Sequence, residues 1–336
     1  MTHMSDDVEE RLATLLTPRD WFRYAVSRFS AAGLVFGHGA SNAVDEAAFL
    51  VLEGLHLPID ALDPFADARL LRSERRRLHD LIEARIVTRK PAAYLLNRAY
   101  IQGVPFYVDE RVIVPRSFIG ELLFGGMIGE GGLIEAPEQV GRVLDLCTGG
   151  GSLAILAARV FPAAEIDAVD ISHDALAVAR RNVAEHGLDG RIHLFEGDLF
   201  APLGGARYDV ILTNPPYVEA AVAAAFPPEY AAEPKLAHVG GEDGLDLVRR
   251  IVGEARCHLT PKGALICELG QGRARLEAEF PDRNLVWLDT AESDGEVFYA
   301  LARDLPVAAR RRAKLSAIPK PAASPRPALF PPRRRC

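Results

Sequence analysis

No uninterrupted apolar run in this 336-residue chain reaches the roughly 18 residues that a membrane-spanning helix needs. The first stretch, "MTHMSDDVEERL", is acidic and lacks the apolar core of a secretion signal. No membrane association is expected. Cysteine is scarce. Cys147, Cys257, Cys267 and Cys336 form no C-x-x-C pair, and none lies beside clustered histidines. No zinc site is readable, so no metal is expected, and scattered thiols suit a reducing compartment. The expected location is cytoplasmic. Acidic residues are missing from the last stretch: from Pro306 to Cys336 there are nine Arg or Lys and no Asp or Glu. The net charge is nevertheless −7, so the rest of the chain is more acidic still. Such a body argues against an enzyme that grips nucleic acid along its surface, and no stable DNA binding is expected.

What is present is ordinary for a globular protein, with 49% hydrophobic and 25% charged residues. The first ~95 residues read as helical by periodicity. "TPRDWFRYAVSRFSAAG" offers Thr17 as N-cap, Pro18 in the first turn and Asp20 at the capping-box position. A second helix is expected from Ser41 or Asn42, and a third in "SERRRLHDLIEARIVTRKP", stopped by Pro91. Between Ala99 and Val114 short β-like pieces take over, with Asp109-Glu110 as the expected hairpin turn. From Arg142 strands alternate with helices, predicted over 152–160, 173–187 and 244–258. That alternation predicts an α/β fold with a parallel sheet. The closing pieces "NLVWLDT" and "GEVFYALA" leave no room for a crossover helix, so the last pair is expected to be antiparallel. The expected division is a helical unit over 1–98, a hairpin and linker over 99–125, a sheet domain over 126–305 and a disordered basic, Pro-rich tail over 306–336.

A nicotinamide fingerprint is also missing. Gly149 and Gly151 stand in "VLDLCTGGGSLAI", but Leu153-Ala154 follow where the third glycine of G-x-G-x-x-G belongs. The glycine loop still allows a tight turn and close approach of a ligand to the backbone. About 20 residues on, the second strand ends at Asp170, where a carboxylate can accept from both hydroxyls of a ribose. The competing reading of Asp170 is a helix N-cap. Asp198, in "FEGDLF", is expected to close the third strand near an adenine. Three successive strand ends with polar groups point to a nucleoside-type cofactor.

The fourth strand, "YDVILT", runs into Asn214-Pro215-Pro216-Tyr217. Prolines keep their carbonyls and lack N–H groups, and they force the residue before them into extended backbone. The Asn214 oxygen and the Pro215 carbonyl make a stiff pair of acceptors, suited to a planar NH2 group.

Asp145 to Gly151, Asp170, Asp198 and "NPPY" together resemble the S-adenosylmethionine-dependent methyltransferases that modify planar amino groups. The resemblance is closer to the protein-(glutamine-N5) methyltransferases. Within them, "DWFRYAVSRFSAAGLVFGHGASNAVDEAAFLVL", "FYVDERVIVPRSFIGEL", "DLCTGGG" and "GGEDGLDLVRRI" resemble the branch acting on large-subunit ribosomal protein L-three. It covers about residues 18 to 302. What it implies is a class I methyltransferase (Rossmann-like) seven-stranded sheet behind a helical substrate-recognition domain. The implied reaction transfers a methyl group from S-adenosyl-L-methionine to a glutamine side-chain nitrogen and releases S-adenosyl-L-homocysteine. By position, Asp145 and Cys147, Thr148, Gly149, Gly150 and Gly151 would hold the methionine part. Asp170 would take the ribose, and Asp198 and Leu199 the adenine. Asn214 and Pro215 would hold the glutamine amide, with Pro216 and Tyr217 beside it. Phe106 would cover the site, and the family's usual polar residue is replaced by Gly150, with a mild effect expected.

Weaker signals read more plainly. His38 suits a turn or packing role, and "VGGEDGLDL" a capped loop at the site rim. Arg116 touches the protein substrate or pairs with Glu121. The basic tail reads as a solvated terminus. Three rival readings fit the same sequence: the related enzyme acting on peptide chain release factors, a nucleic-acid amino-group methyltransferase, and an assembly factor without turnover.

Overall fold

The computed structural model describes residues 2–291 and 293–307. The expected disordered tail lies almost wholly outside the described residues. The chain opens with helices α1 (Thr2–Thr14), α2 (Pro18–Ala31), α3 (Ala43–Gly54), α4 (Arg72–Thr88) and α5 (Ala92–Leu96). The capping box of α2 is formed as expected: Thr17 accepts from the Asp20 amide, and Asp20 accepts from the Thr17 amide. Asn42 caps α3 with bonds from the Val44 and Asp45 amides. Two helices were not foreseen. The acidic sequence of α1 has little apolar patterning, and α5 is a five-residue turn behind Pro91.

Trp21, Phe29, Leu50, Val51, Leu78 and Ile82 from α2, α3 and α4 make one apolar cluster. Beside it Arg85 is fully buried and forks onto Glu46, at 3.0 and 3.1 Å. The same guanidinium donates to the carbonyls of Val35 and Arg89. The segment before α3 is thereby tied to the end of α4.

The hairpin is β1 (Ala99–Ile101) with β2 (Val104–Phe106). Its turn is Gln102-Gly103, both with positive φ, and not Asp109-Glu110. Asp109 instead binds the Arg111 amide and guanidinium and the Tyr107 hydroxyl, which folds 107–111 on itself. Helix α6 (Phe118–Phe124) follows.

The sheet then builds from β3 (Arg142–Leu146), α7 (Ser152–Val160), β4 (Glu165–Asp170), α8 (His173–Glu185), β5 (Ile192–Glu196) and β6 (Tyr208–Thr213). After α9 (Ala220–Ala223) come α10 (Asp246–His258), β7 (Leu259–Glu268), α11 (Arg273–Glu279), β8 (Val286–Leu288) and β9 (Val297–Leu301). The order across the seven strands is β5-β4-β3-β6-β7-β9-β8, with β9 antiparallel to both β7 and β8. The expected antiparallel end is present. Helix α11 was not foreseen, because its short charged sequence carries little periodicity. The inner strands are apolar on both faces, as a sheet covered on both sides requires. α6, α7 and α8 pack on one face, α10 and α11 on the other. The chain leaves β3 toward β4 on one side and returns to β6 on the other. Ligands of open α/β sheets bind at that switch point, beyond the C-terminal ends of the strands.

Candidate active site

Two adjoining cavities lie at those strand ends. The larger, about 290 Å³, is lined by Cys147 to Gly150, Asp170 to Ser172, Gly197 to Leu199, Asn214 and Pro216, among others. The smaller, about 190 Å³, is lined by Asn214, Pro215, Tyr217, Val218, Phe226, Tyr230 and His238, among others. Asn214 borders both.

The floor of the larger cavity is the glycine loop. Gly149 has φ +54°, and a Cβ there would project into open space. Gly151 has φ +82° and packs on Ala179, so it turns the chain into α7 without lining the cavity. A Cβ at Gly150 would make only ordinary contacts, so a polar side chain has room there. Cys147 holds a left-handed backbone, φ +57°, and burial pushes its thiol pKa up. Asp145 is behind the loop, not in the cavity, which corrects its expected contact with a cofactor. It is fully buried and accepts from the Thr148 hydroxyl at 2.5 Å and the Ala154 amide at 3.0 Å. Burial raises its pKa to about 7. Asn182 holds the loop from α8, donating to the Gly150 and Tyr107 carbonyls.

Asp170 faces the cavity at the end of β4. Its oxygens accept from the Gly149 amide at 2.8 Å and the Ser172 amide at 2.8 Å. Each oxygen keeps a further lone pair for a hydroxyl. The helix cap is Ser172, which accepts from the Ala175 amide, so Asp170 is not spent on that task. Burial raises the pKa of Asp170, against the opposing pull of these two bonds. Asp198 lies just past β5 rather than closing it, and pairs with Arg250 at 2.8 Å. Leu199 is buried with φ +49° and lines the same wall.

At the end of β6 Asn214 donates its Nδ2 to the Arg116 carbonyl at 3.1 Å. Its oxygen is left as acceptor at the border of the two cavities. Pro215 is buried and faces the smaller cavity, Pro216 the larger. The Tyr217 hydroxyl donates to Glu268 at 3.0 Å, and burial, then Glu268, push its pKa far up. Glu268 also accepts from the Ser117 hydroxyl and the Phe118 amide. Burial raises its pKa to about 7.

One further expected site residue stands elsewhere. Phe106 is 1% exposed and joins the core under α6 and α7, because strand alternation turns it inward. Val112, Ile113 and Pro115 cover the larger cavity instead. Arg116 lines both cavities, but its guanidinium is forked onto Glu233 at 2.8 and 2.9 Å, not paired with Glu121. His38 packs on Tyr230, in keeping with a packing role. Glu233, Glu268, Asn182 and Arg250 went unread in the sequence. Only the distant contacts made by folding give them a place.

Residues 133–226 match the family model described as Methyltransferase small domain. The ribosomal protein uL3 glutamine methyltransferase of Bradyrhizobium diazoefficiens is 61% identical over 87% of this chain and 92% of its own. Those of Burkholderia pseudomallei and Bordetella pertussis are each 55% identical, over 87% and 88% of this chain and 97% of their own. A solved methyltransferase from Pyrococcus furiosus is 16% identical, covers 68% of this chain and 95% of its own, and has a TM-score of 0.42. The identity of 55% to 61% to the three uL3 enzymes, along most of this chain and most of theirs, shows the family: the chain belongs to the ribosomal protein uL3 glutamine methyltransferases.

Proposed function

We propose that this enzyme transfers a methyl group from S-adenosyl-L-methionine to the side-chain nitrogen of a glutamine in ribosomal protein uL3. One observation carries the assignment of roles: Asn214 borders both cavities and presents a free oxygen there, its nitrogen being committed to the Arg116 carbonyl. The larger cavity suits the cofactor. Asp170 offers acceptors to ribose hydroxyls, Gly149 leaves open space beside its backbone, and Leu199 with Ile171 gives apolar walls for adenine. The smaller cavity suits the glutamine side chain, its methylenes against Phe226 and Tyr230.

When bound, the cofactor supplies an electrophilic methyl on a sulfonium. A carboxamide nitrogen is a weak nucleophile, because its lone pair is delocalised into the carbonyl. The protein compensates by alignment. Asn214 Oδ1 and the Pro215 carbonyl accept the two N–H groups and aim the nitrogen at the larger cavity. Positioning of this kind lowers a barrier by as much as about 7–11 kcal/mol. As the nitrogen attacks, its N–H groups become more positive, so these bonds strengthen on the way to the transition state. Pro215 and Pro216 hold the acceptors stiffly. The Tyr217 ring, fixed by Glu268, packs beside the amide, and its face favours positive charge. No base is needed before methylation, since the proton becomes acidic only afterwards.

The identity to uL3 enzymes supports this substrate over a release factor or a nucleic acid. Purified protein with methyl-labelled cofactor and uL3, a release factor or DNA tests the choice. Label is expected on uL3. Label only on a release factor, or only on nucleic acid, would overturn it.

A further inference from the structure

We propose that Glu233 is a positioning residue for methyl transfer, acting on Asn214 through Arg116. The inference rests on the role given to Asn214 above. Glu233 stands on the loop between β6 and α10 and is 4% exposed. It reaches across 119 positions to accept from the Val114 amide at 2.9 Å. It also accepts both terminal nitrogens of Arg116, at 2.8 and 2.9 Å. Arg116 in turn donates to the Val114 carbonyl at 3.2 Å. One carboxylate thus holds the Val114 amide and the Arg116 side chain together. It is the carbonyl of this pinned Arg116 that takes the Asn214 nitrogen.

The consequence concerns which atom of Asn214 meets the substrate. An amide side chain turned over about its last torsion presents NH2 where its oxygen should be, and two NH2 groups repel. Nothing in Asn214 itself prevents that rotation. The Arg116 carbonyl does, because it accepts from nitrogen and repels oxygen. Displacing that carbonyl removes the bias. A bidentate pair is strong and directional, and the Glu233 carboxylate that makes this one is fully buried, so Glu233 is well suited to hold the segment. His238 Nε2 at 3.0 Å and His38 Nε2 at 3.6 Å face the same carboxylate. His38 belongs to the segment before α3, so the helical region reaches the catalytic asparagine through this group.

A cycle of Asn214→Ala, Glu233→Gln and the double variant tests the proposal, with single-turnover methylation of uL3 and cofactor affinity as readouts. Glu233→Gln keeps the shape but loses the charged fork. It should slow methyl transfer about ten-fold, within the range for residues coupled in one network, and leave cofactor Kd unchanged. In the Asn214→Ala background the same change should cost almost nothing further. A structural role alone lowers the rate by the same factor in both backgrounds, and that result would overturn the proposal. So would an unaltered rate in Glu233→Gln. If Glu233→Gln does not fold, Arg116→Lys enters the same cycle, since lysine cannot form the fork. Near wild-type turnover in Asn214→Ala alone would instead refute the role of Asn214, a separable failure.

Discussion

Asn214 and Arg116, 98 positions apart, are joined by one hydrogen bond of 3.1 Å from the asparagine side chain to the arginine carbonyl. That bond decides which end of the Asn214 amide is free at the border of the two cavities. It turns a strand-ending turn into an acceptor with a fixed direction. The motif alone shows acceptors; the bond shows where they aim.

Asp170→Ala is expected to weaken cofactor binding. The substitution removes the acceptors proposed for the ribose and frees the Gly149 amide. Hydrogen bonds to a charged group contribute about 1.5–3 kcal/mol. Calorimetric titration should show a Kd raised by roughly 10- to 100-fold. An unaltered Kd would remove Asp170 from the cofactor site.

Gly270→Ala should impair turnover more than cofactor binding. Gly270 has φ +56°, and a Cβ there would lie 2.8 Å from the Tyr217 ring. The ring must shift, and its hydroxyl then leaves Glu268. Tyr217→Phe, which keeps the ring in place, should be milder. Steady-state kinetics on both variants checks the order, and equal losses would contradict the account.

Glu268 makes stability pH-dependent with a definite sign. Burial raises its folded pKa to about 7, from 4.5. The folded state therefore holds a proton that the unfolded state releases. The contribution is complete below about pH 4.5 and is lost as pH rises through about 7. Glu268→Gln removes this dependence, so its melting temperature relative to wild type should rise between pH 5 and pH 8. A constant difference across that range would contradict the buried, protonatable carboxyl.

In the helical region, Arg85→Ala should destabilise the protein by roughly 3–5 kcal/mol, the usual cost of removing one partner of a buried pair. It strands Glu46 and releases the Val35 carbonyl. Denaturant melts measure it directly. A loss below about 1 kcal/mol, the range of exposed pairs, would show that the fork adds little.

The sheet was legible because its signals are local. β4 and α7 fall where the sequence places them, since "EIDAVD" and "SLAILAARV" each carry their own apolar pattern and turn. Asp170, the glycine loop and Asn214 are readable as candidates for the same reason, and all three line the cavities at the strand ends. Asp145 misled because an acid at the close of a strand looks the same whether it faces the cavity or the back of the loop. Phe106 is assigned to the site by resemblance alone, and only the folded hairpin shows that strand alternation turns it into the core. The Arg116–Glu233 fork spans 117 positions, and nothing near either residue announces the other.

Asn214 is proposed to direct a glutamine amide to the methyl donor. The most direct test is mass-spectrometric mapping of uL3 after single-turnover reaction with wild type and with Asn214→Ala, both shown to bind cofactor. Wild type should place one methyl on a glutamine side-chain nitrogen. The variant should react about 10²–10³ more slowly, as for loss of one preorganised polar group. A methyl group on another residue, or an undiminished rate in Asn214→Ala, would contradict this role.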